Sequence, residues 1–133
     1  MSVHLVTLVT ILSLLVFCWM LARVGQARTK FGVSAPATTG HPEFERHFRV
    51  HMNTLEGLVI YLPSLWMFAF YVNNYAAAGL GLLWIVGRLI YAVSYVKSAE
   101  SRSLGFGIQG LATIVLLLGA LAGVIRAISI TGI

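Results

Sequence analysis

The chain has 133 residues, of which 59% are hydrophobic and only 10% charged, with a mean hydropathy of +0.90. A water-soluble domain of that length leaves too much surface exposed to hide so much apolar material, so the composition excludes an ordinary soluble fold and points to a bilayer. The net charge of +5 does not indicate nucleic acid, because no basic tract interleaves with aromatics in a polar context.

A spanning helix needs roughly 20 mostly apolar residues, and four segments meet that length: Val3–Ala22, Phe48–Val72, Ala76–Val96 and Leu104–Ile130. They predict an all-α integral membrane four-helix bundle, one domain over residues 1–133. The first segment carries no charge, and its cations Arg23, Arg28 and Lys30 follow it, which is the reverse of a signal peptide's order. Cys18, the only cysteine, lies within it; a lone thiol excludes an internal disulfide or a multi-cysteine metal site and reads as a small packing residue.

The residues from Gly25 to Glu43 read as a structured surface connection, broken at Ala35-Pro36 and through Thr38-Thr39-Gly40-His41-Pro42. Helix two is expected to begin near Pro42, with Glu43 and Glu45 in a first turn where carboxylates favour the helix dipole. Glu45, Arg49, Asn53 and Glu56 then recur four, four and three residues apart and share one face. Pro63 removes a backbone donor further along and predicts a kink.

Helix three carries a matching line, Trp84, Arg88, Tyr91 and Tyr95, which Arg102 continues past the membrane end. Gly79, Gly81 and Gly87 permit close approach by a neighbouring helix. Helix four, with Gln109 and Arg126 as its polar exceptions, reads as scaffold. Cations gather around the first and third connections and none stands in Asn73-Asn74-Tyr75, so both basic connections are expected in the cytoplasm with the termini opposite.

Ionisable residues at membrane depth are costly and mark function unless they neutralise one another, and Glu56 with Arg88 allows either reading. Arg49, Asn53, Tyr91, Tyr95 and Arg102 exceed what a scaffold requires. Guanidinium, carboxylate, amide and phenol together suit a small ligand bearing carboxylates and an ammonium. A metal is not expected, because His47 and His51 lack a third ligand on their face and Arg49 stands close by. His51 lies two residues from Arg49, hence about 200° around the helix, and is placed to serve a different subunit's site.

The run VSAPATTGHPEFERHFRVHMNTLE (33–56), followed by RLIYAVSYVKSAESR (88–102), closely resembles the signature of the membrane-associated proteins in eicosanoid and glutathione metabolism, the MAPEG family. The likeness is to the branch of leukotriene C4 synthase and the microsomal glutathione transferases, and it covers most of Ala27–Ser103. It implies a homotrimer of four-helix subunits that binds glutathione between neighbours on the cytoplasmic side. By that resemblance Arg49, Asn53, Glu56, Tyr91 and Tyr95 bind glutathione, while Arg28 and His51 reach the site from the adjacent subunit, His51 replacing a family glutamine. Arg102 resembles the catalytic arginine that holds the glutathione sulfur as thiolate.

Two positions depart from the branch: Thr29 stands where leukotriene C4 synthase has a second catalytic arginine, and Gly57 where a tyrosine usually follows the glutamate. They argue against leukotriene synthesis as such and for broader conjugation of hydrophobic electrophiles arriving through membrane lipid, or reduction of lipid hydroperoxides by the same thiolate. The short connections and compact termini suggest a bacterial inner membrane. A rival reading is a lipid-binding scaffold like the lipoxygenase-activating protein of the same family, which shares the Phe44-Glu45-Arg46 motif but lacks the residues found here as Arg49 and Glu56. A small oligomeric transporter using Glu56 and Arg88 is a third, but leaves Arg102 and the paired tyrosines without a role.

Overall fold

The computed structural model describes residues 2–133. It contains four long helices: α1 His4–Phe31, α2 Pro42–Tyr71, α3 Asn74–Lys97 and α4 Ser103–Thr131, with a short 3-10 turn at Ala99–Arg102 leading into α4. All four are long and apolar enough to cross a membrane, and the chain is an integral, multi-pass membrane protein. Helices α2 and α3 occupy the middle of the bundle, each packed on every other helix, and α1 and α4 flank them.

The first helix runs further than expected. Residues 23–31 contain no proline, and Arg28 and Lys30 in the last turn complement the negative end of the helix dipole. The cations assigned to a connection beginning at Gly25 therefore extend α1, and the true connection is 32–41. Gly32 stops the helix in the left-handed region, φ 67°, with its N–H returned to the Arg28 carbonyl, a conformation that glycine adopts at low cost. The second helix begins at Pro42 as expected: His41 is its cap and its Nδ1 accepts from the Glu43 N–H at 3.2 Å. The ends of α1 and α2 are clasped by the Phe31 and His41 rings, stacked 3.8 Å apart.

Helix α2 continues unbroken through Pro63, and Ser64 donates its hydroxyl to the Ile60 carbonyl at 2.7 Å. Cys18 is exposed on α1 rather than packed in the core. Within the bundle Tyr61 of α2 and Trp84 of α3 stack in parallel, ring centroids 4.0 Å apart. The Tyr61 hydroxyl hydrogen-bonds Ser13 at 2.9 Å, which ties α1 to α2 inside an apolar core of Val9, Leu65 and Leu116, while the stacked Trp84 of α3 keeps its buried Nε1 without a partner. Outward, Leu8, Leu15, Val59, Phe70, Leu111 and Leu118 are exposed; in lipid such a surface carries no hydrophobic penalty.

The tightest helix crossing joins α3 and α4. A Cβ on Gly87 would stand 2.7 Å from the Gln109 nitrogen, and one on Gly105 would stand 2.6 Å from the Gly87 carbonyl oxygen. The backbones are in contact, which only paired small residues permit. This crossing holds Tyr91 and Phe106 beside each other, ring centroids 6.2 Å apart.

Gly105→Ala should therefore part the two helices and lower stability by about 2 kcal/mol, whereas Gly79→Ala, whose Cβ would meet no neighbouring helix within 4 Å despite the close approach expected there, should raise it by up to about 1 kcal/mol. Thermal unfolding of both variants in detergent measures the difference; equal midpoints would show that the crossing tolerates a methyl group.

Candidate functional site

At the end of the bundle that carries the 32–41 connection, α2, α3 and α4 diverge around a cavity of about 760 Å³. Helix α2 contributes Arg49 and Asn53, and α3 contributes Tyr91 and Tyr95. The 3-10 turn adds Glu100 and Arg102, and the first turns of α4 add Ser103, Phe106 and Gly107. Five residues singled out by helical spacing thus face one space.

Four of them are held by a definable contact. Arg102 donates Nη1 to the Ala99 carbonyl at 2.8 Å, and its guanidinium lies 5.7 Å from the Tyr95 ring centre. Tyr95 and Tyr91 sit ring against ring at 5.5 Å. Beneath them lies Arg88, only 2% exposed, between the rings of Tyr91 at 5.2 Å and Trp84 at 5.6 Å. Its Nη1 donates to Asn53 Oδ1 at 2.8 Å. Because the guanidinium occupies the oxygen, the Asn53 amide keeps its two N–H donors for whatever fills the cavity.

The pairing of Arg88 with Glu56, one of the two readings open from the sequence, gives way to this bond with Asn53. Glu56 is exposed in the protomer and lines an adjoining cavity of about 440 Å³, deeper in the bundle, which shares Asn53 and Phe106 with the first. Arg88, Gln109 and the apolar side chains of Ile60, Ile114 and Leu117 complete it. Polar space near the surface thus passes into mostly apolar space at membrane depth. Gly57 has a structural reason here: a Cβ at that position would stand 2.6 Å from Arg88 Nη2.

Arg28 and His51 do not line either cavity within the protomer. Arg28 donates to the Ala37 carbonyl at 2.8 Å and lies over the Phe44 ring at 4.9 Å, pinning the 32–41 connection. His51 is buried, with Nδ1 2.8 Å from the Phe48 carbonyl and its ring stacked on Phe17 of α1 at 6.1 Å. Among the described residues no three His, Cys, Asp or Glu side chains converge as a metal site would require.

The contribution of α4 was not anticipated by reading that helix as scaffold. Its signal is spacing: Arg102, Phe106 and Gln109 recur four and three residues apart, the helical stripe that an otherwise uniform apolar run conceals. Charge around the main cavity is net positive, with Arg49 and Arg102 against the single rim carboxylate Glu100. The arrangement suits an anionic ligand held by guanidinium, amide and phenol groups.

The MAPEG family model matches residues 6–122. An uncharacterized protein of Synechocystis is 44% identical over 118 residues, covering 89% of this chain and 86% of that protein. Human microsomal glutathione S-transferase 2 is 42% identical over 118 residues, covering 88% and 80% of the two chains. Bovine leukotriene C4 synthase is 39% identical over 101 residues, covering 76% and 67%. The family match spans most of all four helices, from within α1 to within α4, and the chain belongs to the MAPEG family.

Proposed function

We propose that this protein is a membrane glutathione transferase, in which Arg102 holds the glutathione thiolate for attack on lipophilic electrophiles. The observation that carries this reading is the convergence of Arg49, Asn53, Tyr91, Tyr95 and Arg102 on one cavity of about 760 Å³. The similarity to a glutathione transferase and to leukotriene C4 synthase supports glutathione as cosubstrate. Arg49 pairs with a glutathione carboxylate, the Asn53 amide and Tyr91 orient the peptide, and Glu56, one turn deeper, receives the ammonium.

A thiol of ordinary pKa, about 8.5, is mostly protonated near neutrality, and a guanidinium beside it favours the anion. The thiolate forms a carbon–sulfur bond to the electrophilic carbon; the displaced group, or the opened oxygen, takes its proton from water. With a lipid hydroperoxide the thiolate sulfur bonds the terminal oxygen as the O–O bond breaks, and the lipid alkoxide takes a proton from water and leaves as the alcohol; a second glutathione thiol then attacks the sulfur of the resulting sulfenic acid, giving the disulfide and water. The neighbouring cavity beside Ile60, Ile114 and Leu117 suits the hydrophobic partner in either reaction.

The active unit in this reading is a homotrimer, with the site facing the cytoplasm of a bacterial inner membrane. Glu56 supports the assembly, because it is exposed in the protomer within an apolar span. A carboxylate facing lipid there costs about 3 kcal/mol, which a neighbouring subunit's cover removes. Arg28, outside the protomer's own cavities, reaches the adjacent subunit's glutathione, and His51 does so once its ring turns out from between Phe17 and Phe48.

Arg102→Ala should raise the apparent thiol pKa of bound glutathione by about one unit and cut turnover more than tenfold, with glutathione affinity changed far less. Ultraviolet thiolate absorbance followed against pH, alongside turnover of a model electrophile, reads both effects; undiminished turnover would remove Arg102 from its role. No glutathione binding by the parent protein would replace the enzyme with the lipid-binding scaffold.

Glu56→Gln should weaken glutathione about tenfold, equivalent to about 1.4 kcal/mol, by calorimetry in detergent. Light scattering on the same sample should give the mass of three chains. A monomer that binds glutathione with full affinity would refute the shared site.

A further inference from the structure

A different part of the bundle, lined by α1 and α3, carries an apolar groove of about 350 Å³ between Leu12, Leu15 and Val16 on one side and Leu82, Ile85 and Leu89 on the other. The groove ends at Trp19, and the Arg23 guanidinium lies over the Trp19 ring at 4.8 Å. One turn beyond, Arg23 enters a polar cup of about 210 Å³ with Gln26, Lys30, His47 and Glu43. A narrow cleft that contains Trp19, Arg23 and His47 links groove to cup. The three hollows follow one another along α1, each sharing a residue with the next.

Their order is that of an amphiphile. At 1.5 Å per residue, the groove from Leu12 to Trp19 is about 10 Å long and Arg23 stands about 6 Å further on. Apolar lining gives way to an indole and then to cations, the profile of a membrane–water interface read along one helix. Arg23 and Lys30 rest over aromatic rings, Lys30 at 5.1 Å from Phe31, and Glu43 is the only acid in the cup. The neighbouring Arg46 is engaged with the Val96 carbonyl at 2.8 Å and adds to the positive field. Arg28 lies five residues from Arg23, about 140° around the helix, so the side assigned to the adjacent subunit is a different one.

We propose that this strip binds one anionic phospholipid, its acyl chain in the Leu15–Leu89 groove and its phosphate between Arg23 and Lys30. Charge selects the headgroup, because the cup's two fixed cations exceed its one carboxylate and a zwitterionic lipid leaves the excess unmatched. The indole of Trp19 sits at the level of the glycerol esters. The site is independent of the chemistry in the glutathione cavity, with which it shares no residue.

Native mass spectrometry of the detergent-purified protein, loaded with phosphatidylglycerol or phosphatidylcholine in parallel, tests the proposal. The parent should retain phosphatidylglycerol at least about fivefold better, a difference of about 1 kcal/mol, and excess inorganic phosphate should not displace it. The double variant Arg23→Ala, Lys30→Ala should hold the two lipids equally. Leu82→Trp, which fills the groove, should lose phosphatidylglycerol with the cations intact. Equal retention of both lipids by the parent, a preference that survives the double variant, or displacement by phosphate alone would each overturn it. Should Leu82→Trp fail to elute at the parent's size, the charge variant decides alone.

Discussion

A guanidinium at membrane depth is tolerable only if its surroundings replace water, and the interior of this bundle is arranged around that requirement at Arg88. The Trp84 and Tyr91 rings lie against it, the Asn53 amide oxygen takes one of its hydrogens, and Gly57 leaves room for its far nitrogen, while Nε stays buried without a partner. Loss of the Asn53 oxygen would strand the charge further. The same contacts bring α2 and α3 into register at the floor of the cavity, so the residues above inherit their positions from a buried charge below. Arg88 thus acts as a keystone, and Asn53, held by its oxygen, presents its donors upward.

Much of this was legible in the sequence because a bilayer leaves few options. Four apolar runs of spanning length admit only helices, and polar residues within them must face one another. The lines of Arg49, Asn53 and Glu56 and of Arg88, Tyr91 and Tyr95 therefore pointed toward each other, and they line two adjoining cavities. What escaped was set by partners rather than by periodicity. The cations at Arg28 and Lys30 read as loop because Gly25 and a polar composition imitate one; the helix continues to Phe31 because Gly32, not Gly25, supplies the stop. Glu56 and Arg88 looked like a natural couple by charge, yet the acceptor placed at bonding distance was the neutral Asn53. The share of α4 in the cavity was hidden by its hydrophobicity, since Phe106 and Gly107 carry no polar mark.

The two flanking helices have different work. Helix α4 closes the cavity by lying against α3 at Gly87 and Gly105, so close that backbone rather than side chain makes the contact. Helix α1 stands apart from the cavity and touches α2 and α3, with Ser13 anchoring it to Tyr61 and the His41–Phe31 stack fixing its far end. A rigid α1 keeps Arg28 at the base of the connection, where its guanidinium ties down the Ala37 carbonyl. In the proposed trimer that fixed arginine stands ready for a neighbour without needing a mobile loop to deliver it.

Gly57 lies so close to the buried guanidinium that a side chain there would compete with the present Arg88 rotamer for one space. A tyrosine, as is usual at this point in the branch the chain resembles, cannot enter while Arg88 keeps its present rotamer, since even a methyl group would reach 2.6 Å from Nη2. A larger residue at 57 therefore has to be met by a turn of the flexible end of Arg88, and with it by a change in the bond that holds Asn53. The two positions share one volume, and what fills it decides where the guanidinium points.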